Sequence, residues 1–189
     1  MHSIWKTSIR FTLVTAILLG LGYPLFVTGL AALIFPHQAA GSLIKLNDGT
    51  VIGSELLAQS FTADKYFHPR PSAAGNGYDA TASSGSNLAQ SSKALIDRIQ
   101  GSIDKLSKEN PGKPVPIDLV TTSASGLDPD ITPDAAYFQA PRVAKTRGIS
   151  EDRIRQLIEQ HITARQLGIL GEPRVNVLLL NLDLDKLAK

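Results

Sequence analysis

The chain has 189 residues, 43% of them hydrophobic and 19% charged, which is enough for one domain and an appendage. All 17 acids and 17 of the 19 bases lie after residue 36, so the body from His37 onward is neutral and the formal charge of +2 rests on Lys6 and Arg10. A neutral body lacks the basic face that nucleic acid requires, and a sequence without cysteine has neither a disulfide framework nor thiolate chemistry.

From Phe11 to Phe35 there are 25 residues without a charge. As a helix this stretch reaches roughly 37 Å, enough to cross a ~30 Å hydrocarbon core with some tilt. Gly20, Gly22 and Pro24 interrupt it, as membrane helices tolerate. Lys6 and Arg10 flank its start, and the positive-inside rule then predicts a cytoplasmic N-terminus over 1–10, a transmembrane helix over 11–35 and an extracytoplasmic domain over 36–189. The rival reading is a cleaved secretory signal ending at Ala39-Ala40-Gly41, but the apolar run exceeds the length of an ordinary signal core. Gly20, Gly22, Gly29 and Ala31-Ala32 either admit a neighbouring helix or are ordinary membrane-helix residues.

Beyond the helix, Leu43–Val51 reads as a hairpin turning at Asn47-Asp48-Gly49, and Ser54 as the cap of a short helix ending at Gln59. Tyr66–Asn87 follows, a stretch without Val, Ile, Leu or Met that cannot supply a buried helical stripe or strand face. Its Gly, Ser, Pro and Asn make it a long turn-rich loop, while two Tyr, a Phe, a His and an Arg mark it as ordered and functional. A helix is expected from Asn87 to Asn110, with Leu88, Leu95, Ile96, Ile99, Ile103 and Leu106 as its apolar stripe and Pro111-Gly112 as its end.

Ile117–Thr121 suits a buried strand and empties into a second loop, Thr122–Asp130. Thr132-Pro133-Asp134 opens a helix, and Pro141–Arg147 reads as a separate short one stopped by Gly148. Ser150, Glu151 and Asp152 open the next, which buries Ile154, Leu157, Ile158 and Ile162. Gly171–Pro173 is a turn, and Val175–Leu180 is the strongest strand, with a continuation towards Leu184. Few strands and several helices give a small α/β or α+β domain.

The chemistry-bearing motifs are sparse. There is no GxxxxGK[ST] loop, no Gly-x-Ser-x-Gly elbow, and no metal-ligand spacing among His2, His37, His68 and His161. Ser83–Asn87, running into a helix, either offers backbone N–H groups to an anion or caps that helix through Ser86 or Asn87. Asp128 and Asp130 are better explained by turns around Pro129 than by a calcium site. Arg70, extended between two prolines, fixes either a partner carboxylate or its own loop.

Four blocks in order carry a resemblance. The first is Tyr66-Phe67, Arg70-Pro71-Ser72-Ala73, Tyr78-Asp79 and Ser84-Gly85-Ser86-Asn87-Leu88; the second joins Val120-Thr121 to Ser125-Gly126-Leu127-Asp128-Pro129, Ile131 and Pro133. The third is Gln139, Pro141-Arg142-Val143-Ala144-Lys145 and Arg147, and the last Gly171, Pro173, Val175-Asn176-Val177 and Asn181-Leu182. Together they resemble the C subunit of the bacterial high-affinity potassium-transporting ATPase, the Kdp complex, with Gly85-Ser86 where that family usually has two glycines and Ala89-Gln90-Ser91-Ser92 for its commoner Gly-Pro-Thr/Ser-Asn.

The resemblance implies a non-catalytic accessory subunit of an ATP-driven potassium uptake pump in the cell inner membrane, surrounded by lipid. Its implied partners are an ATP-hydrolysing P-type subunit, a potassium-channel-like subunit and a small single-span subunit. It further implies a catalytic chaperone that raises ATP affinity, with Gln139 likened to a nucleotide-associated glutamine; no cofactor is expected to be held firmly, and ATP enters only through the complex. An outer-side domain places Gln139 across the bilayer from the ATP. Partner docking is therefore the role expected for Arg70, Ser72, Tyr78, Asp79, Ser84, Ser86, Asn87, Ser125, Asp128 and Arg142. A membrane-anchored extracytoplasmic hydrolase and a solute-binding domain are the alternatives.

Overall fold

The computed structural model describes residues 2–46 and 48–187, in two compact units, Met1–Ser54 and Glu55–Lys189. In the first, α1 (His2–Ile17), a π-helical segment (Leu18–Gly22) and α2 (Tyr23–Ile34) follow one another without a break. Pro24 has no N–H and its ring crowds the carbonyl of Gly20. The ladder widens just before it, and the Tyr23 N–H donates to the Leu18 carbonyl. Thr7 and Thr15 satisfy their hydroxyls on the carbonyls of Ser3 and Phe11, at 2.9 and 2.8 Å, so neither needs a partner outside the helix. Ser3–Ile34 is long and apolar enough to cross a membrane.

A short helix, α3 (Pro36–Ala39), leads to the antiparallel hairpin of β1 (Leu43–Lys45) and β2 (Val51–Ser54), in which Leu43 pairs with Ser54. Asn47, expected in its turn, lies outside the described residues. Ser54 does not open a helix: it closes β2, and its hydroxyl donates to the Gly41 carbonyl at 2.7 Å.

The second unit contains α4 (Lys93–Glu109), a 3-10 turn (Ile117–Leu119), β3 (Asp130–Ile131), α5 (Pro133–Arg147), α6 (Glu151–His161), β4 (Ile162–Thr163), β5 (Arg174–Asn176) and α7 (Val177–Leu187). Its small sheet has the order β3-β5-β4, antiparallel throughout, so the mixture of helix and sheet is of the α+β kind. Val175 on the central strand is fully buried beside Ile131 and Ile162. Helices α5, α6 and α7 close the core with Ala135, Val143, Ile154, Ile158, Leu180 and Leu184.

Four further sequence expectations are corrected. The helix expected from Asn87 starts at Lys93, because Asn87 adopts φ 52°, a left-handed conformation that a right-handed helix cannot continue. Ile117–Thr121 is not a strand: Ile117 is exposed, and the buried Asp118 turns its carboxylate onto the Thr132 N–H at 2.7 Å. Pro141 does not start a new helix but lies inside α5, which runs on through it with Ala140, Val143 and Ala144 packed in the core. Val175–Leu180 is a strand only to Asn176, whose side chain caps α7 by accepting from the Leu179 N–H at 3.1 Å. From there Val177, Leu180, Asn181 and Leu184 are buried at helical spacing.

Candidate functional site

The loop Tyr66–Asn87 is irregular and is bound down along its length. At its start Phe67 is fully buried, and two side-chain amides clasp consecutive residues. Asn181 of α7 accepts from the Phe67 N–H and donates to the Phe67 carbonyl, both at 2.9 Å. Gln139 of α5 does the same for His68, accepting from its N–H at 2.8 Å and donating to its carbonyl at 3.1 Å. An amide carries one acceptor and a two-proton donor, so each side chain reproduces the exchange that a neighbouring strand would make. Asn181 and Gln139 are 1% and 2% exposed, which removes water as a competitor.

Arg142, one turn beyond Gln139, locks this arrangement. Its Nη2 donates to Gln139 Oε1 at 2.8 Å, its Nη1 to the carbonyls of Tyr66, at 3.0 Å, and Asp64, and its Nε lies 3.1 Å from Glu109 Oε2. Arg147 secures the preceding residues through the Lys65 carbonyl at 2.8 Å and Asp185 at 2.7 Å, with its guanidinium 5.0 Å above the Tyr66 ring. His68 is held below the ordinary histidine range by burial first and by the Arg142 charge second.

The middle of the loop turns on Ser72. Its hydroxyl donates to the Gly126 carbonyl at 2.5 Å and accepts from the N–H groups of Ala74 and Tyr78 at 3.1 and 2.8 Å. The Tyr78 hydroxyl returns to the Arg70 carbonyl at 2.9 Å, and burial raises its proton affinity. Arg70 reaches Asp128 at 3.0 Å and Thr121 Oγ1 at 3.4 Å, so it pins the two loops together. Asp79 accepts from the Thr81 hydroxyl and N–H, and these bonds hold its carboxyl below the ordinary range.

Further on, the Ser84 N–H and Ser83 hydroxyl both donate to the Ser125 carbonyl, at 3.0 and 2.9 Å, while Ser125 Oγ accepts from the Leu127 N–H at 3.1 Å. Gly126, at φ 68°, sits where a Cβ would lie 2.6 Å from the Ser84 carbonyl and 2.7 Å from the Ala74 nitrogen. Ser86 is half-buried and Asn87 exposed, and neither caps α4, whose N-cap position is Ser92 without a side-chain bond. The stretch Ser83–Asn87 therefore does not meet a helix N-terminus, and the anion cradle considered for it is not formed.

Of the residues nominated from sequence, Arg70, Ser72, Tyr78, Ser84, Ser125 and Asp128 meet in one loop-to-loop seam, and Gln139 and Arg142 form the adjacent clamp. Asp79 turns onto its own loop, and Ser86 and Asn87 stand apart. A concavity of about 940 Å³ lies elsewhere, between the Lys113–Ile117 strap and Tyr137, Pro141 and Arg155. Among the described residues no three His, Asp or Glu groups are placed to hold a metal ion.

The profile of the KdpC family, described as the K+-transporting ATPase c chain, matches residues 5–186. A Potassium-transporting ATPase KdpC subunit of Rhodopseudomonas palustris (strain BisB18) is 57% identical over 192 residues, covering 95% of this chain and 96% of the relative. One of Acidobacterium capsulatum is 57% identical over 183 residues, covering 96% and 97%, and one of Koribacter versatilis 55% over 179 residues, covering 95% and 92%. The chain belongs to the KdpC family.

Arg70, Ser72, Tyr78, Ser84, Ser125, Asp128, Gln139, Arg142 and Asn181, the side chains of the seam and clamp, all fall within the motif blocks that carried the resemblance to KdpC. Sequence reasoning missed the other half of the clamp. Asn181 entered only as part of a block, although a polar residue inside the stripe of Val177, Leu180 and Leu184 is the pattern of a buried hydrogen-bonding side chain. Asp118 was missed, and Arg147 entered only as part of a block, because their partners, Thr132 and the Lys65 carbonyl, become neighbours only in the folded unit.

Proposed function

We propose that this chain is a non-catalytic accessory subunit of an ATP-driven potassium pump, anchored by Ser3–Ile34 with its second unit on the outer side of the inner membrane. There it docks on the outer face of a channel-like subunit and stabilises the assembly or its potassium entrance. Family membership, with KdpC relatives 53–57% identical along nearly the whole chain, carries the subunit reading. The charge asymmetry around the helix favours this orientation, since Lys6 and Arg10 precede the apolar run.

The chemistry of Gln139 favours an architectural role over direct nucleotide contact. Its carbonyl oxygen already accepts from the His68 N–H and from Arg142, and its amide donates to His68 and to the Ala135 carbonyl. Binding a nucleotide there requires breaking a buried bond network. Any rise in the ATP affinity of a P-type partner is then transmitted through subunit contacts, with ATP held by that partner. The test is purification of the tagged full chain from its native membrane in mild detergent. Recovery of a multi-span P-type ATPase polypeptide is expected, and a stable lone chain contradicts the reading.

A further inference from the structure

Helix α4 is built unlike the other long helices of its unit. Helices α5, α6 and α7 carry fully buried side chains, among them Val143, Ile154 and Leu180, whereas no residue of α4 is buried. Its Leu95, Ile99, Ile103 and Leu106 are half-buried and its Ile96 is exposed.

The attachment of α4 is one-sided. Near its C-terminus Leu106 packs against the core, the Glu109 carboxylate lies 3.1 Å from Arg142, and Asn110 at the C-cap donates to the Phe138 carbonyl at 3.1 Å. Ser102, Lys105, Leu106 and Glu109 wall a cavity of about 280 Å³ beside His68, Tyr78 and Gln139. Among the described residues, the side-chain hydrogen bonds of the first half stay within the helix: Lys93 to Asp97 at 2.6 Å and Gln100 to Asp104 at 2.8 Å.

Several features weaken that first half. Ser92 at the N-cap makes no side-chain bond, the first turn holds no acid, and Lys93 puts a positive charge at the positive end of the helix dipole. Gly101, at the middle of α4, is a poor helix former, and a Cβ there would meet nothing within 4 Å, so no close approach demands it. Ser102 beside it bonds back onto the Arg98 carbonyl at 3.0 Å, and helices bend at Gly-Ser pairs and at such back-bonds. The Arg98 Nε is enclosed without an acceptor, a desolvation cost that water relieves once the segment lifts.

We propose that residues 93–100 form a flap hinged at Gly101, which opens in the folded protein while residues 103–109 stay seated on the unit. Opening bares Leu95 and Ile99 beside Ile96 and leaves the clamp on Phe67 and His68 closed. The unit thus presents two apolar surfaces from one unchanged core, and a cap and a glycine set the balance between them. Segments with few buried contacts open well below the free energy of global unfolding. The inference stands apart from the subunit reading and does not depend on it.

Once lifted, a segment this short does not hold a helix in water, so its N–H groups exchange with solvent. The test is residue-resolved amide exchange of the full chain in detergent, with urea raised in small steps below the unfolding transition. The N–H groups of residues 97–100 are expected to exchange on the order of a hundredfold faster than those of Val143 and Ile158, at rates nearly indifferent to urea. Those of Phe67, His68 and Leu106 are expected to remain slow. Gly101→Ala is expected to slow exchange at 97–100 about fivefold, and Ser92→Asp about threefold.

Exchange at 97–100 as slow and as urea-dependent as at Ile158 overturns the flap. Fast exchange shared by Phe67, His68 and Leu106 means that α4 leaves whole and takes the clamp with it, which overturns the hinge at Gly101. Rates at 97–100 that neither variant changes overturn the proposal as well.

Discussion

Two loops of the second unit make opposite use of their residues. Tyr66–Asn87 is long, polar and aromatic, yet its chemistry is turned inward: Phe67, His68, Ser72 and Ser84 are bonded to other parts of the unit, and Tyr78 to the Arg70 carbonyl of the loop itself. The hairpin carrying Leu167–Leu170 is short and aliphatic at its tip, where Leu167, Ile169 and Leu170 are exposed. A loop rich in polar and aromatic groups invites a binding interpretation. Those groups are also what a long irregular segment needs to satisfy its own buried backbone. The contrast teaches that the exposed apolar residue, not the decorated loop, is the better sign of a surface awaiting a partner.

The largest effect that separates the two loops is expected at the clamp. Asn181→Leu strands both polar groups of Phe67 inside the unit, and Gln139→Leu does the same to His68. Each is expected to cost roughly 2–4 kcal/mol in the denaturation of the full chain in detergent, from unpaired buried groups. Amide hydrogen exchange at Phe67 and His68 reads the effect directly: it should accelerate at the residue whose clasp is lost. Unchanged stability in both variants would mean that the loop is held by something other than its amides.

Next comes the seam. Gly126→Ala combines a left-handed φ with backbone atoms in the way of the new Cβ, and is expected to cost about 2 kcal/mol or more. Gly148→Ala, with a similar φ of 67° and nothing within 4 Å, isolates the conformational part at about 1 kcal/mol. Equal costs would show that the two loops do not approach as closely as described.

The smallest effect is a pH dependence. His68 in the folded unit takes up its proton less readily than the ordinary value of 6.5, because burial disfavours the charged ring and Arg142 repels it. The unfolded chain therefore binds more protons in the window at and below about pH 6.5, and stability falls as pH is lowered through it. His68→Gln is expected to flatten that part of the stability profile while leaving stability above the window nearly unchanged. A profile that keeps its slope in the variant assigns the dependence to another group.

Much of the fold is legible in the sequence where periodicity is unbroken. The apolar run of the first unit, the hairpin, the Thr132 cap with its bond to the Ala135 N–H, and the stripe of Ile154, Leu157 and Ile158 stand as expected. The errors arise where a specific side-chain bond or a buried surrounding overrode the apolar pattern. Asp118 spends its carboxylate on Thr132 and turns an apolar run into a 3-10 bend, while Asn176 caps a helix inside what reads as one long strand. Pro141 is carried through α5 because its neighbours are buried on both sides. The family was legible from ordered blocks, but the arrangement of their residues was not. Which amide meets which peptide depends on the approach of α5 and α7 to a loop more than 70 residues earlier in the chain.

The central claim is that this unit acts from the outer side of the membrane through contact with its partners, with Gln139 serving as a structural clamp. A single cysteine at exposed Ser91 or Gln160, in a chain with no other cysteine, tests it with a membrane-impermeant maleimide applied to intact cells. Labelling of both positions without permeabilisation is the predicted result. Labelling that requires permeabilisation puts the unit on the cytoplasmic side, within reach of ATP, and contradicts the account.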